Sequence, residues 1–121
     1  MKPRLVRDVM TIGVPVCHDT ELCETVLARL QGEVVVALDD DGMACGWLTR
    51  AQLAANAAQR VSEVMDEDIP TASPTASLEA VTEKMRALGV AHLFLIHDWP
   101  GEPRPSAVIS LSAIEERLAH A

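Results

Sequence analysis

Aromatic side chains are nearly missing from this chain: Trp47, Phe94 and Trp99 stand alone among 121 residues, and there is no Tyr. With 49% hydrophobic residues it is nevertheless a globular sequence, so its core has to be built from Val, Leu, Ile, Ala and Met. Basic residues are scarce as well, 10 against 18 acidic, giving a net charge of −8. Duplex nucleic acid and anionic membranes would on average repel such a surface. The deficit is uneven: residues 1–60 carry 6 basic and 8 acidic groups, residues 61–121 carry 4 and 10. No apolar run approaches the roughly 20 residues of a membrane span. The start, Met1-Lys2-Pro3-Arg4-Leu5-Val6-Arg7, has the charge of a secretion signal without the apolar stretch that must follow it. Cysteine is limited to Cys17, Cys23 and Cys45, and an odd number without a secretory signal points to a reducing compartment and free, mostly buried thiols. A soluble, cytoplasmic chain is expected, long enough for one compact domain that buries somewhat over about 60% of its unfolded surface.

Catalytic signatures are missing too. There is no Walker A loop, no Gly-x-Gly-x-x-Gly and no His-Glu-x-x-His. Cys17, His18, Asp19 and Cys23 match no zinc spacing, and neighbouring side chains on an extended strand point to opposite faces, which argues against a Cys-His nucleophile. Asp39-Asp40-Asp41-Gly42 lacks the following ligands of a calcium loop. Neither an enzyme nor a metal centre is expected.

What the chain does have is a repeat. Val6-Arg7-Asp8-Val9-Met10 returns as Val61-Ser62-Glu63-Val64-Met65, and Pro15 and Thr20 return as Pro70 and Thr75, all at an offset of 55. A period this long excludes short solenoid repeats. The first copy spans residues 1–60 and the second residues 61–121. In the first, Leu5 to Met10 has helical spacing and Val14-Pro15-Val16 is a short extended piece. Thr20 is the expected N-cap of a helix with Leu22, Val26, Leu27 and Leu30 on its apolar face and Gly32 at its end. Val34 to Leu38 has the length of a buried strand, Asp39 to Gly42 is a hairpin turn, Met43 to Leu48 is the returning strand, and Thr49 opens a helix to Ala58.

The second copy keeps the order. Val61–Met65 is a short helix, Ile69-Pro70-Thr71 a short strand, and a helix from about Ser77 to Leu88 closes at Gly89. Strands follow at Leu93 to Ile96 and Ala107 to Ser110, then a helix to about Leu118. The first copy's main helix is expected to be about two residues shorter. Where the first copy turns at Asp39–Gly42, the second inserts Asp98 to Pro105 with three prolines, expected as a stiff, extended loop carrying Trp99.

The two Val-x-x-Val-Met openings, Val14-Pro15-Val16 and Ile69-Pro70-Thr71, and above all the segment Asp39 to Arg50 resemble a tandem pair of CBS domains, named for cystathionine beta-synthase. Pro70 to Leu78 and Gly89-Val90-Ala91-His92 extend the likeness through the second copy. The resemblance implies an α/β (α+β) fold: two pseudo-symmetric β-α-β-β-α motifs, packed sheet to sheet in one module. It also implies a homodimer and a regulatory role exerted through another protein. The ligand so implied is an adenosine compound, AMP, ADP, ATP or S-adenosylmethionine, in clefts lined by Thr11 to Pro15 and Asp66 to Pro70.

In binding members the strand end reads Gly, two apolar residues, Thr or Ser, two variable residues, then an Asp that accepts from the ribose diol. Here Gly46-Trp47-Leu48-Thr49-Arg50-Ala51-Gln52 keeps the hydroxyl and places Gln52 at the Asp position. The second copy has Ser110 and then Ala113. The candidate ligand residues are Thr11, Val14, Pro15, Thr49, Arg50, Gln52, Ile69, Pro70, His92 and Ser110. Thr49-x-x-Gln52 is also a helix capping box, which accounts for both residues without any ligand, and Ser112-x-x-Glu115 has the same form. The alternative function is therefore an interaction scaffold whose clefts bind nothing.

Overall fold

The computed structural model describes residues 4–99 and 102–119, and of residues 97–99 and 102–103 only the backbone. It is a mixed α+β fold with two three-stranded sheets and five helices. Contacts divide it into two units. Unit 1 comprises Met1–Gly13, Pro70–Ile96 and Ser106–Ala121; unit 2 comprises Val14–Ile69 and His97–Pro105. The units cut across the repeat, because the short leading segment of each copy joins the body of the other.

Unit 2 contains β2 (Val16–His18), α1 (Cys23–Arg29), β3 (Val34–Leu38), β4 (Ala44–Thr49), α2 (Arg50–Ala55) and α3 (Val61–Val64). Its sheet order is β2-β3-β4: β2 runs parallel to β3 through the α1 crossover, and β3 and β4 form the hairpin expected around Asp39–Gly42. Val34 to Ala37 are all buried, as a short unbroken apolar run predicts. Cys17, Cys23, Val26, Leu30, Val35, Ala37, Leu48 and Leu53 close one core, and Val61 of α3 is buried among them.

Unit 1 begins with a 3-10 turn at Val6–Asp8 and β1 (Thr11–Ile12). It continues with α4 (Leu78–Leu88), β5 (His92–Trp99), β6 (Glu102–Ser110) and α5 (Leu111–Ala119), the last residues of β5 and first of β6 lying beyond its boundary. The sheet order is β1-β6-β5. Val6 is buried among Leu78, Val81, Met85, Leu93, Ile109 and Ile114. The repeat extends to individual hydrogen bonds. Val6 N–H donates to the Ala76 carbonyl and Val61 N–H to the Glu21 carbonyl, each at 2.9 Å, with donors and acceptors both 55 residues apart. Arg50 N–H to the Glu33 carbonyl and Leu111 N–H to the Ala91 carbonyl, each 2.8 Å, open the last helix of each copy, with insertions widening the offset.

Several boundaries differ from the sequence reading. Thr20 caps nothing: α1 begins at Cys23 after Leu22, and the Cys23 and Glu24 N–H groups donate to the carbonyls of Gln59 (2.8 Å) and Ala57 (3.0 Å). A backbone partner from the following segment replaces the side-chain cap. In α4 the Ser77 hydroxyl accepts from Ala80 N–H at 3.1 Å, and Gly89, at φ 68°, takes the left-handed conformation that ends the helix. Helix α1 has 7 residues and α4 has 11, so the shortening is four residues. α2 stops at Ala55. Near Ile69-Pro70-Thr71 only a single bridge forms, Thr71 to Phe94. The proline-rich insertion is not a long loop, because β5 runs to Trp99 and β6 begins at Glu102. The Trp99 side chain lies outside the described residues.

Candidate functional site

The ten candidate residues fall into two sets. Unit 2 holds Val14, Pro15, Thr49, Arg50, Gln52 and Ile69; unit 1 holds Thr11, Pro70, His92 and Ser110.

In unit 2 the end of β4 runs directly into α2, and the capping box forms. Gln52 N–H donates to Thr49 Oγ1 at 3.2 Å, and Thr49 N–H donates to Gln52 Oε1 at 2.8 Å. The Gln52 amide oxygen is thus engaged by its own helix start. Arg50 is engaged too. Its Nη2 donates to the Leu30 carbonyl at 2.6 Å and its Nε to the Gly32 carbonyl at 2.9 Å, so the guanidinium closes the carboxyl end of α1.

Beside that end lies a cleft of about 230 Å³. Pro15 and Val16 come from the start of β2, Val26, Arg29 and Leu30 from α1 and its end, Gln31 from the next residue and Val35 from β3. Of the ten candidates, Pro15 is the one that lines it. Val14 precedes it in the chain and is half-buried. Arg29 and Gln31 are polar lining residues that the sequence reading did not single out. Arg29, the last residue of α1, pairs with Glu21, which precedes the helix. Arg29 Nη1 and Nη2 lie 2.5 and 2.7 Å from the two Glu21 oxygens. The Arg29 hydrogen bond holds the Glu21 carboxyl below the ordinary carboxylate range, and Glu21 in turn raises Arg29.

The Asp66–Ile69 segment is fixed to β4. Trp47 and Asp66 exchange two backbone hydrogen bonds of 3.0 Å, and the Trp47 indole N–H donates to the Asp68 carbonyl at 3.1 Å. Ile69, half-buried, ends this stretch.

Unit 1 repeats the plan with different chemistry. Thr11 is exposed and pairs with Val108 on β6, and the Pro70 carbonyl accepts from Phe94 N–H at 2.8 Å. His92, half-buried, opens β5. Ser110 Oγ accepts from Ala113 N–H at 3.2 Å, so Ser110 caps α5, not Ser112 with Glu115. Leu111 stands where the first copy has Arg50.

The other reactive groups among the described residues are the three cysteines and His18. Cys17 is pushed up to about 12, chiefly by burial, and burial raises Cys23 and Cys45 as well, so all three stay as thiols at neutral pH. Thr20, His18 and Asp40 form a surface series, with His18 Nδ1 2.7 Å from Thr20 Oγ1 and Nε2 2.8 Å from Asp40 Oδ1. The Thr20 amide already donates to Nδ1 at 3.1 Å, occupying the lone pair a general base would use. Among the described residues, no three His, Cys, Asp or Glu are grouped to hold a metal ion. Among them, too, no helix is long and apolar enough to cross a membrane.

The family model of the CBS domain matches residues 6–58 and again 61–120. Among solved structures, the CBS domain pair of protein MJ0100, in complex with 5′-methylthioadenosine and S-adenosyl-L-methionine, is similar at TM-score 0.83 and 17% identity, over 98% of each chain. An uncharacterized conserved protein from Pyrococcus horikoshii is similar at TM-score 0.78 and 17% identity, over 98% of this chain and 95% of that one. The cytosolic domain of the Mg2+ channel MgtE in complex with ATP follows at TM-score 0.74 and 18% identity, over 90% of this chain and 46% of that one. A search of curated proteins found no match.

Proposed function

The chain belongs to the CBS-domain family, and on that premise we propose that it is a regulatory ligand sensor, not a catalyst. It binds an adenosine-type compound at the Pro15–Val35 cleft and acts through another protein. The observation that carries this reading is the cleft itself: apolar side chains from two strands and a helix end, with one amide and one guanidinium at the rim. The ligands of the neighbouring structures, 5′-methylthioadenosine, S-adenosylmethionine and ATP, set the chemical class to test. A homodimer in the cytoplasm is part of the proposal, supported by the exposed Leu88 and Leu118 on the two helices of unit 1.

One observation favours the scaffold reading instead. Thr49, Arg50 and Gln52 all have partners within the chain, so none of them needs a ligand. Thermal unfolding at rising concentrations of adenosine, AMP, ATP, NADH and S-adenosylmethionine separates the two. The sensor gives a melting temperature that climbs with ligand, by a stabilisation of about 2.7 kcal/mol at a hundred times Kd. No rise at millimolar ligand leaves the scaffold. Solution scattering on the same samples is expected to give the mass of two chains; the mass of one would remove the dimer from the proposal.

A further inference from the structure

The charges around the cleft narrow the ligand class. Only Arg29 among the lining residues is basic, and its two terminal nitrogens both bind the Glu21 carboxylate. Arg50 flanks the cleft and donates to the Leu30 and Gly32 carbonyls. The Glu21 carboxylate already balances the Arg29 charge, so a phosphate arriving here would share that guanidinium with a like charge. Removing Arg29 would leave the Glu21 carboxylate with the His18 N–H donor but without its paired cation, and removing Arg50 would take a donor from two carbonyls at the end of α1.

The start of α2 offers little more. Arg50 N–H is bonded to the Glu33 carbonyl at 2.8 Å and Gln52 N–H to Thr49 Oγ1 at 3.2 Å, so two of the donors that would cradle an anion are already in use. The chain's net charge of −8 adds a general penalty for anions.

The rest of the cleft suits a flat, uncharged ring. Pro15, Val16, Val26, Leu30 and Val35 give apolar walls, and the Gln31 amide can both donate to and accept from the edge of a base. A volume of about 230 Å³ is smaller than the roughly 300 Å³ at which pockets for whole small-molecule ligands begin, so the base enters and the sugar stays at the mouth.

Resting on the reading of this cleft as an adenosine site, we infer that it selects nucleosides without phosphate over nucleotides. Arg29 and Arg50 shape the wall and bind no phosphate. Arg29 is the specificity-determining residue, because it is the basic side chain lining the cleft and the Glu21 carboxylate beside it offsets its charge and repels a phosphate.

Calorimetric titration of the full chain with adenosine, AMP, ADP and ATP tests this. Adenosine is expected to bind about tenfold or more tightly than AMP, with ATP weaker still. Glu21→Gln frees Arg29 and is expected to narrow the gap between adenosine and AMP several-fold, with adenosine affinity nearly unchanged. Nucleotides binding as tightly as adenosine, or a gap that Glu21→Gln leaves untouched, would overturn the selectivity and leave the adenosine site standing. Binding by none of the four would overturn both.

Discussion

A chain carrying Val61→Asp is expected to lose more than about 4 kcal/mol of stability, most of the margin of a domain at the low end of the ordinary range of about 5–15 kcal/mol. Val61 is completely buried, surrounded by Cys17, Cys23, Val26, Leu48 and Leu53. A carboxylate placed there would have no cation beside it and would either ionise in an apolar medium or take up a proton at a cost. Val61→Ala, which stays apolar, is expected to lose only about 1–3 kcal/mol. Urea unfolding followed by circular dichroism measures both. The pair tests whether the second copy's leading segment completes the first copy's core, since a solvent-facing Val61 would tolerate Asp within about 0.5 kcal/mol.

Gly46→Ala is the second large effect. A Cβ at Gly46 would come within 2.7 Å of Met65 Cγ and 3.0 Å of Met65 Cβ. The thioether end can swing away, but the Met65 Cβ is fixed to the backbone, and Met65 N–H is bonded to the Val61 carbonyl at 2.9 Å. The strand and the segment after α3 therefore have to separate, at a cost of about 1–3 kcal/mol. The second copy has Ala107 at the matching place, completely buried in its own core. In a double-mutant cycle, Met65→Gly, which removes that Cβ, is expected to cancel much of the Gly46→Ala penalty, with a coupling of about 1 kcal/mol or more. Strict additivity would show that the glycine is not there to admit Met65. The close approach gives a structural reason for glycine at the head of the Gly-x-x-Thr strand end, independent of any ligand.

Local patterns in the sequence identified what local physics controls. The Val34–Leu38 run, the Asp39–Gly42 turn, the Thr49–Gln52 capping box and the Gly89 helix end all depend on residues within five positions of one another, and all form as expected. The start of α1 does not: its first donors are met by Ala57 and Gln59, over thirty residues away, so Thr20 could look like a cap and not serve as one. Arg50 is a similar case. Nothing in its neighbourhood announces that its partners are the carbonyls of Leu30 and Gly32. Arg29 and Gln31 were hidden because a helix end lines the cleft only after β2 and β3 have been brought parallel across it.

Amide hydrogen exchange with and without saturating adenosine tests the central claim most directly, that the Pro15–Val35 cleft is a ligand site. The account expects slower exchange at Val16, Leu30, Gln31 and Val35 and around Thr49 to Leu53, with α4 and α5 unchanged. Protection confined to unit 1, or none at any amide under saturating ligand, would contradict it.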